Sequence, residues 1–240
     1  MDGGDRWGWL RDRRLSERDV VDRGIRTVEH LGRDDPLLPG QVAMLIALLL
    51  YLLLPSALTF GPGWPLPVAE AVVLVALVIA TRAGRAAKRR RQIAIALVLV
   101  AVLASLTSLG LLTHYLLEGG KASGAHLLDG GVIIWSTNLL LFAVLYWELD
   151  RGGPRPTTEP TAPVAPDFLF VQMTDERYAA PGWKPGFADY LYVSLTNQTA
   201  FSPTDTMPLT SRVKALMAVQ SIAALITVGV IVARAVSILG

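Results

Sequence analysis

The side chains best suited to chemistry lie in residues 187–210, which read Phe-Ala-Asp-Tyr-Leu-Tyr-Val-Ser-Leu-Thr-Asn-Gln-Thr-Ala-Phe-Ser-Pro-Thr-Asp-Thr-Met-Pro-Leu-Thr. From Thr196 to Thr206 this run carries Asn197, Gln198, Ser202 and four threonines, no basic residue, and Asp205 near its end. Hydroxyl, amide and backbone oxygens at such density can replace the water shell of a small ion, and a carboxylate at the mouth biases the site toward cations. Thr196, Asn197, Gln198, Thr199, Ser202, Thr204 and Asp205 are therefore the candidate ion-contacting residues. Residues 187–195 read as a short helix, with Asp189 positioned to cap it and to favour its N-terminus. The stretch 196–206 reads as an irregular polar strand. It is too polar to face lipid and too apolar at its edges for a plain solvated loop. Non-helical backbone at membrane depth needs protein or a water cavity to satisfy it, and a re-entrant helix followed by a polar strand meets that need. A sixth, partly polar span and a surface hairpin leading into the last helix are the alternatives.

Other chemistry is sparse. His30, His114 and His126 form no recognisable metal motif with a neighbouring histidine or carboxylate. Glu70 is an acid inside a predicted span, and intramembrane carboxylates are candidates for function. Asn138 and Gln220 interrupt apolar helices, either to bond between helices or to line a pathway. Asn197-Gln-Thr199 matches a glycosylation sequon, discounted in a bacterial chain. The absence of cysteine excludes disulfides, thiolate nucleophiles and zinc-thiolate sites. With no phosphate-binding glycine loop, serine-nucleophile motif or metalloprotease motif, neither an enzyme nor a cofactor is expected.

The elements that must position these groups are transmembrane. Of the 240 residues, 52% are hydrophobic and only 18% charged, against about 25% charged in soluble domains. No charge falls in 36–69, 92–117 or 130–147, and a helix needs roughly 20 apolar residues to cross a hydrocarbon core. Four spans are predicted at 41–60 (kinked at Pro55), 67–81, 92–117 and 130–147, the fourth ending in an aromatic belt of Tyr146 and Trp147. A final span covers 215–233. Residues 1–36 form a charged cytoplasmic segment with a short amphipathic helix after Ser16, and Trp7 and Trp9 suit the headgroups. Residues 37–148 are the four-span bundle, 149–186 a linker, and 187–240 the polar segment plus final span. With the N-terminus in the cytoplasm, 20 Lys and Arg fall inside and only Lys121 and Arg234 outside, as the positive-inside rule requires. Six of those charges sit in the loop Arg82–Arg91, where anionic lipid contact is expected; nothing calls for nucleic acid. The Arg bias, 18 against 4 Lys, suggests a GC-rich bacterial genome and thus a bacterial inner membrane.

The order of an aromatic-rich short helix, Leu195-Thr196, a polar strand, Asp205, Pro208 and an apolar helix ending in Ala233-Arg234 resembles the pore module of potassium channels. That likeness covers about 50 residues. Asn197-Gln-Thr-Ala-Phe201 stands where that family has Thr-Val-Gly-Tyr-Gly, and neither glycine is kept. Glycine permits the backbone angles that aim the carbonyls at one axis, so the resemblance implies a pore without standard potassium selectivity. After four spans the segment would enter from the cytoplasmic side, as pore loops of glutamate-receptor channels do. The chain is also similar to a bacterial family of uncharacterised membrane proteins, through Asp189–Tyr192, Thr199–Ser202, Asp205 and Ser211-Arg212. The expectation is thus an all-α, polytopic transmembrane bundle of about five spans plus a re-entrant pore-loop-like segment. Its expected role is an ion-channel-like pore for a small cation in a homo-oligomer, a tetramer if pore-like. A non-conducting assembly or interaction protein is the alternative.

Overall fold

The computed structural model describes residues 37–55, 58–59, 87–117, 124–154, 164–179, 182–202 and 205–239. Among these residues are five α-helices: α1 (Leu38–Leu52), α2 (Ala87–Leu117), α3 (Gly124–Leu149), α4 (Phe187–Thr199) and α5 (Ser211–Leu239). Three of them, α2, α3 and α5, are long and apolar enough to cross a membrane. At 1.5 Å per residue they run about 39–46 Å, more than a hydrocarbon core of about 30 Å, and they mark the chain as a membrane protein. The amphipathic N-terminal helix, the 67–81 span, Glu70, Thr204 and His30 lie outside the described residues.

Helix α1 carries a proline in its first turn, where the missing N–H would be unbonded anyway. It stops at Leu52, three residues before Pro55. Proline clashes with helical geometry in the residue before it, so Pro55 ends this helix rather than kinking a span that continues to 60. The chain turns there, with Leu58 N donating to Pro55 O at 2.8 Å.

Helix α3 is the hub and packs against all four other helices. Residues 141–147 are buried without exception. Tyr146 and Trp147 therefore form no aromatic belt. Tyr146 stacks edge-on with Phe168, and Trp147 packs on Phe187, because the segment that follows α3 folds back over that end of the bundle. Gly40 of α1 faces Trp147 so closely that any β-carbon would overlap the indole.

That end, here the base, gathers the starts of α1, α2 and α5 and the end of α3. Arg90 reaches Glu148, and Arg212 reaches Leu149 O. At the far end Leu58 meets Gly130, and Ile231 meets Gly131. Helices α1, α2 and α5 thus run away from the base and α3 runs toward it. The outer faces of α1 and α5 are apolar, with Leu45, Leu49 and Leu52, and Ile222, Leu225 and Val232 exposed.

The expected linker is in part built structure. Phe168–Leu169 (β1) pairs antiparallel with Met207–Pro208 (β2), and Phe168 and Phe170 are buried in an aromatic cluster with Tyr146, Tyr190 and Trp183. Three aromatic rings of that proline-rich region, Phe168, Phe170 and Trp183, supply an apolar anchor that overall composition conceals.

Candidate functional site

Helix α4 continues through Thr199, so Thr196, Asn197, Gln198 and Thr199 are helical rather than an irregular strand. Asp189 caps it as expected, its Oδ2 accepting from Gly186 N at 2.7 Å. Ala200 N closes the last turn onto Thr196 O at 2.8 Å. Phe201 then adopts φ +52, a left-handed conformation that ends the helix. A helical Thr196 carbonyl is engaged by its own helix and is not aimed at an axis, which distinguishes this segment from a filter strand.

Helix α4 starts at the base beside Trp147 and advances antiparallel to α3. Tyr190 donates to Asp150 Oδ2 at 2.6 Å, Ser194 to Leu139 O at 2.8 Å, and Gln198 to Trp135 O at 2.7 Å. The chain then returns to the base, where Leu209 N donates to Asp167 O at 2.8 Å. Six residues of α4 are buried: Tyr190, Val193, Ser194, Thr196, Asn197 and Gln198. Five carry polar atoms, placed on one face by the helical spacing of three and four.

Gln220 of α5 is the centre they meet. Its Oε1 accepts from Tyr146 Oη at 2.7 Å and from Asn197 Nδ2 at 2.9 Å. Its Nε2 donates to Ser194 Oγ at 2.7 Å, Gln198 Oε1 at 3.1 Å and Ser194 O at 3.2 Å. Asn197 also donates to Met217 O at 3.0 Å and accepts from Ser221 Oγ at 3.1 Å. Gln220 is fully buried and bonds between helices, one of its two expected roles. Burial of Asn197 likewise seals the sequon. Thr196 and Thr199 bond back to carbonyls of their own helix. Ser202 and Asp205 are exposed beyond its end. Asn138 stands apart: it is buried, with neither amide atom hydrogen-bonded among the described residues.

A second polar cluster closes the base; sequence reasoning assigned Arg90 and Arg91 to lipid, touched Tyr190 and Arg212 through a family likeness, and left Asp150 and Asp167 in the linker. Arg90, buried despite its charge, pairs with buried Glu148 at 3.3 Å and donates to Pro154 O. Arg91 donates to Glu148 O at 2.8 Å and Leu149 O at 3.1 Å, terminal carbonyls that a helix cannot satisfy itself. Two of the six charges assigned to lipid thus hold the end of α3. Arg89 is exposed, and Arg82 and Arg85 lie outside the described residues.

Asp150 Oδ1 accepts the backbone N–H groups of Asp167 (2.5 Å) and Phe168 (3.3 Å). Asp167 accepts from Thr210 at 2.5 Å and from both Arg212 Nε, at 2.9 Å, and Arg212 Nη2. Burial pushes the Asp167 carboxyl up, but the Arg212 and Thr210 hydrogen bonds, with the charges of Arg212 and Arg91, outweigh it and hold the group below its ordinary value. The signal in the sequence was an aspartate on each side of a proline-rich stretch, which composition reads as solvated linker. Among the described residues no three His, Asp or Glu side chains come together to hold a metal; His114 is exposed and rests edge-on against Tyr115.

No family model, no curated protein and no solved structure matches this chain.

Proposed function

We propose that this is a non-conducting integral membrane protein of the assembly or interaction type, whose α4 hairpin is re-entrant and forms its specialised element. The observation that carries this reading is the engagement of Asn197 and Gln198. Both amides are buried and bonded to Gln220, Met217 O and Trp135 O, leaving little capacity to coordinate an ion. Re-entrance is supported by depth. Gln198 bonds to Trp135, twelve residues along α3 from Trp147, or about 18 Å at 1.5 Å per residue. That exceeds half of a core about 30 Å thick. A five-span count is supported by Leu58, next to Thr59, and Arg90, near the start of α2, lying at opposite ends of the bundle. An inward-facing base is supported by its cations, Arg89, Arg90, Arg91, Arg212 and Lys214.

A cation pore shared between copies is the second reading. It is favoured by Thr199, at the end of α4, and by Ser202 and Asp205 beyond it, all three exposed. Cation flux through reconstituted vesicles separates the two. The interaction reading expects no leak above empty vesicles. A leak that Asp205→Asn reduces would replace it with the pore.

A further inference from the structure

We propose that α4 is a removable plug, held in a polar seat between α3 and α5 by a latch at the base. The inference rests on the reading of α4 as re-entrant and adds a second state to it. Its basis is a mismatch in the kind of contact. The other helices meet mainly through apolar side chains: Ala43, Met44 and Ala47 of α1, Leu97, Val98 and Ala101 of α2, and Leu141, Leu145 and Val144 of α3 share one cluster. Helix α4 adds Tyr190 and Val193 to that cluster near the base, but beyond Val193 its buried side chains, Ser194, Thr196, Asn197 and Gln198, are all hydroxyls and amides.

The distinction matters for reversibility. Separating apolar faces at membrane depth exposes nothing that water can compensate. Separating two polar faces exposes donors and acceptors on both sides, and water can re-bond each of them. If α4 withdraws, the seat it leaves is lined by the Gln220 amide, the Tyr146 and Ser221 hydroxyls and the carbonyls of Trp135, Leu139 and Met217, each now bonded to α4 or to a neighbour in the seat. That lining runs from the base, where water has access, to about 18 Å along α3. A hydrated cleft of this composition is a tolerable state at membrane depth, because irregular or polar surface there is stable when it lines water.

The latch is the cluster at the open end of the seat. Tyr190, in the first turn of α4, donates to Asp150 at 2.6 Å. The same carboxylate accepts the backbone of Asp167 and Phe168, so one side chain at the end of α3 holds both the helix and the strand beneath it. Phe187 against Trp147 completes the closure. These contacts lie outside the seat, so weakening them shifts the plug without altering the surface it leaves.

The test uses the absence of cysteine. Ser221→Cys introduces one thiol in the seat, opposite Asn197. The full chain, reconstituted in vesicles carrying a membrane-impermeant maleimide on both faces, is labelled over time. Slow labelling of Ser221→Cys alone, accelerated at least tenfold by adding Tyr190→Phe or Asp150→Asn, is the expected result. Ala143→Cys, sealed within α3, is the control and stays unlabelled. Unchanged Ser221→Cys rates in both latch variants overturn the plug, and so does equal acceleration at Ala143→Cys, which marks general loosening. Ala200→Cys, at the exposed tip of α4, tests the depth reading separately. Rapid labelling there in the otherwise unchanged chain overturns re-entrance and the plug together. Slow labelling there with an unresponsive Ser221→Cys overturns the plug alone.

Discussion

The two sides of α3 treat polar residues in opposite ways. Toward α4 and α5, Tyr146, Ser194, Asn197, Gln198 and Gln220 form one network in which each side chain has partners. Toward α1 and α2, Ser105, Ser108 and Thr137 are buried and, among the described residues, their hydroxyls have no hydrogen-bond partner, nor has the amide of Asn138. The first side has long amides that reach across an interface to backbone oxygens. The second has short hydroxyls whose small size lets helices approach closely. Polar residues in a membrane helix thus serve as connectors on one side and as small packing residues on the other.

Mutations can break or sharpen that contrast. Gln220→Leu should be the most damaging, because it strands the Tyr146, Asn197, Ser194 and Gln198 groups together. A buried group left unsatisfied costs roughly 1–3 kcal/mol, so a total loss of at least ~3 kcal/mol is expected in a chemical unfolding titration in detergent. A loss under ~1 kcal/mol would mean the network is ornamental.

Asp167→Asn should cost ~2 kcal/mol, the usual range for hydrogen bonds to a charged group, and should flatten the acid limb of stability. The sign follows from the depressed carboxyl. Its contribution is complete above the unfolded value of about 3.9 and disappears as pH falls through the lower folded value. Melting temperature against pH between about 2 and 5 checks this, and a variant with the same slope as the parent contradicts it.

Ser194→Ala removes one donor to Leu139 O and one acceptor of Gln220, and about 1 kcal/mol of destabilisation is expected. By contrast Asn138→Leu should be neutral or mildly stabilising, since the amide has no hydrogen-bond partner to lose among the described residues. Destabilisation beyond ~1 kcal/mol at Asn138 would erase the contrast and identify a partner for that amide.

Much of the bundle was legible because charge-free runs and basic loops obey membrane thermodynamics directly. The cores of α2, α3 and α5 were readable from apolar length alone, and the common end of their cationic residues from positive charge. Boundaries were less readable. Helix α2 starts at Ala87, five residues before the apolar run, since a helix tolerates arginine wherever carboxylates and carbonyls meet it. Pro55 was visible, but whether it kinks or ends a helix depends on what packs beyond it.

Residue types alone marked 187–210 as unusual and Gln220 as out of place, because amides and hydroxyls are costly in hydrocarbon whatever the fold. Their roles came from tertiary structure. Thr196–Thr199 could form a strand or a helix, and polar density does not discriminate between them. The choice rests on Gln220, more than twenty residues away, whose amide satisfies a helical face and no strand-like one. The base was less visible still: Asp150, Asp167, Tyr190 and Arg212 are ordinary surface residues until folding brings them together. That polar groups enter an apolar bundle is written in the residue types. Which groups satisfy them emerges from the fold, since hydrogen-bond partners remote in the chain are fixed by packing and not by local propensity.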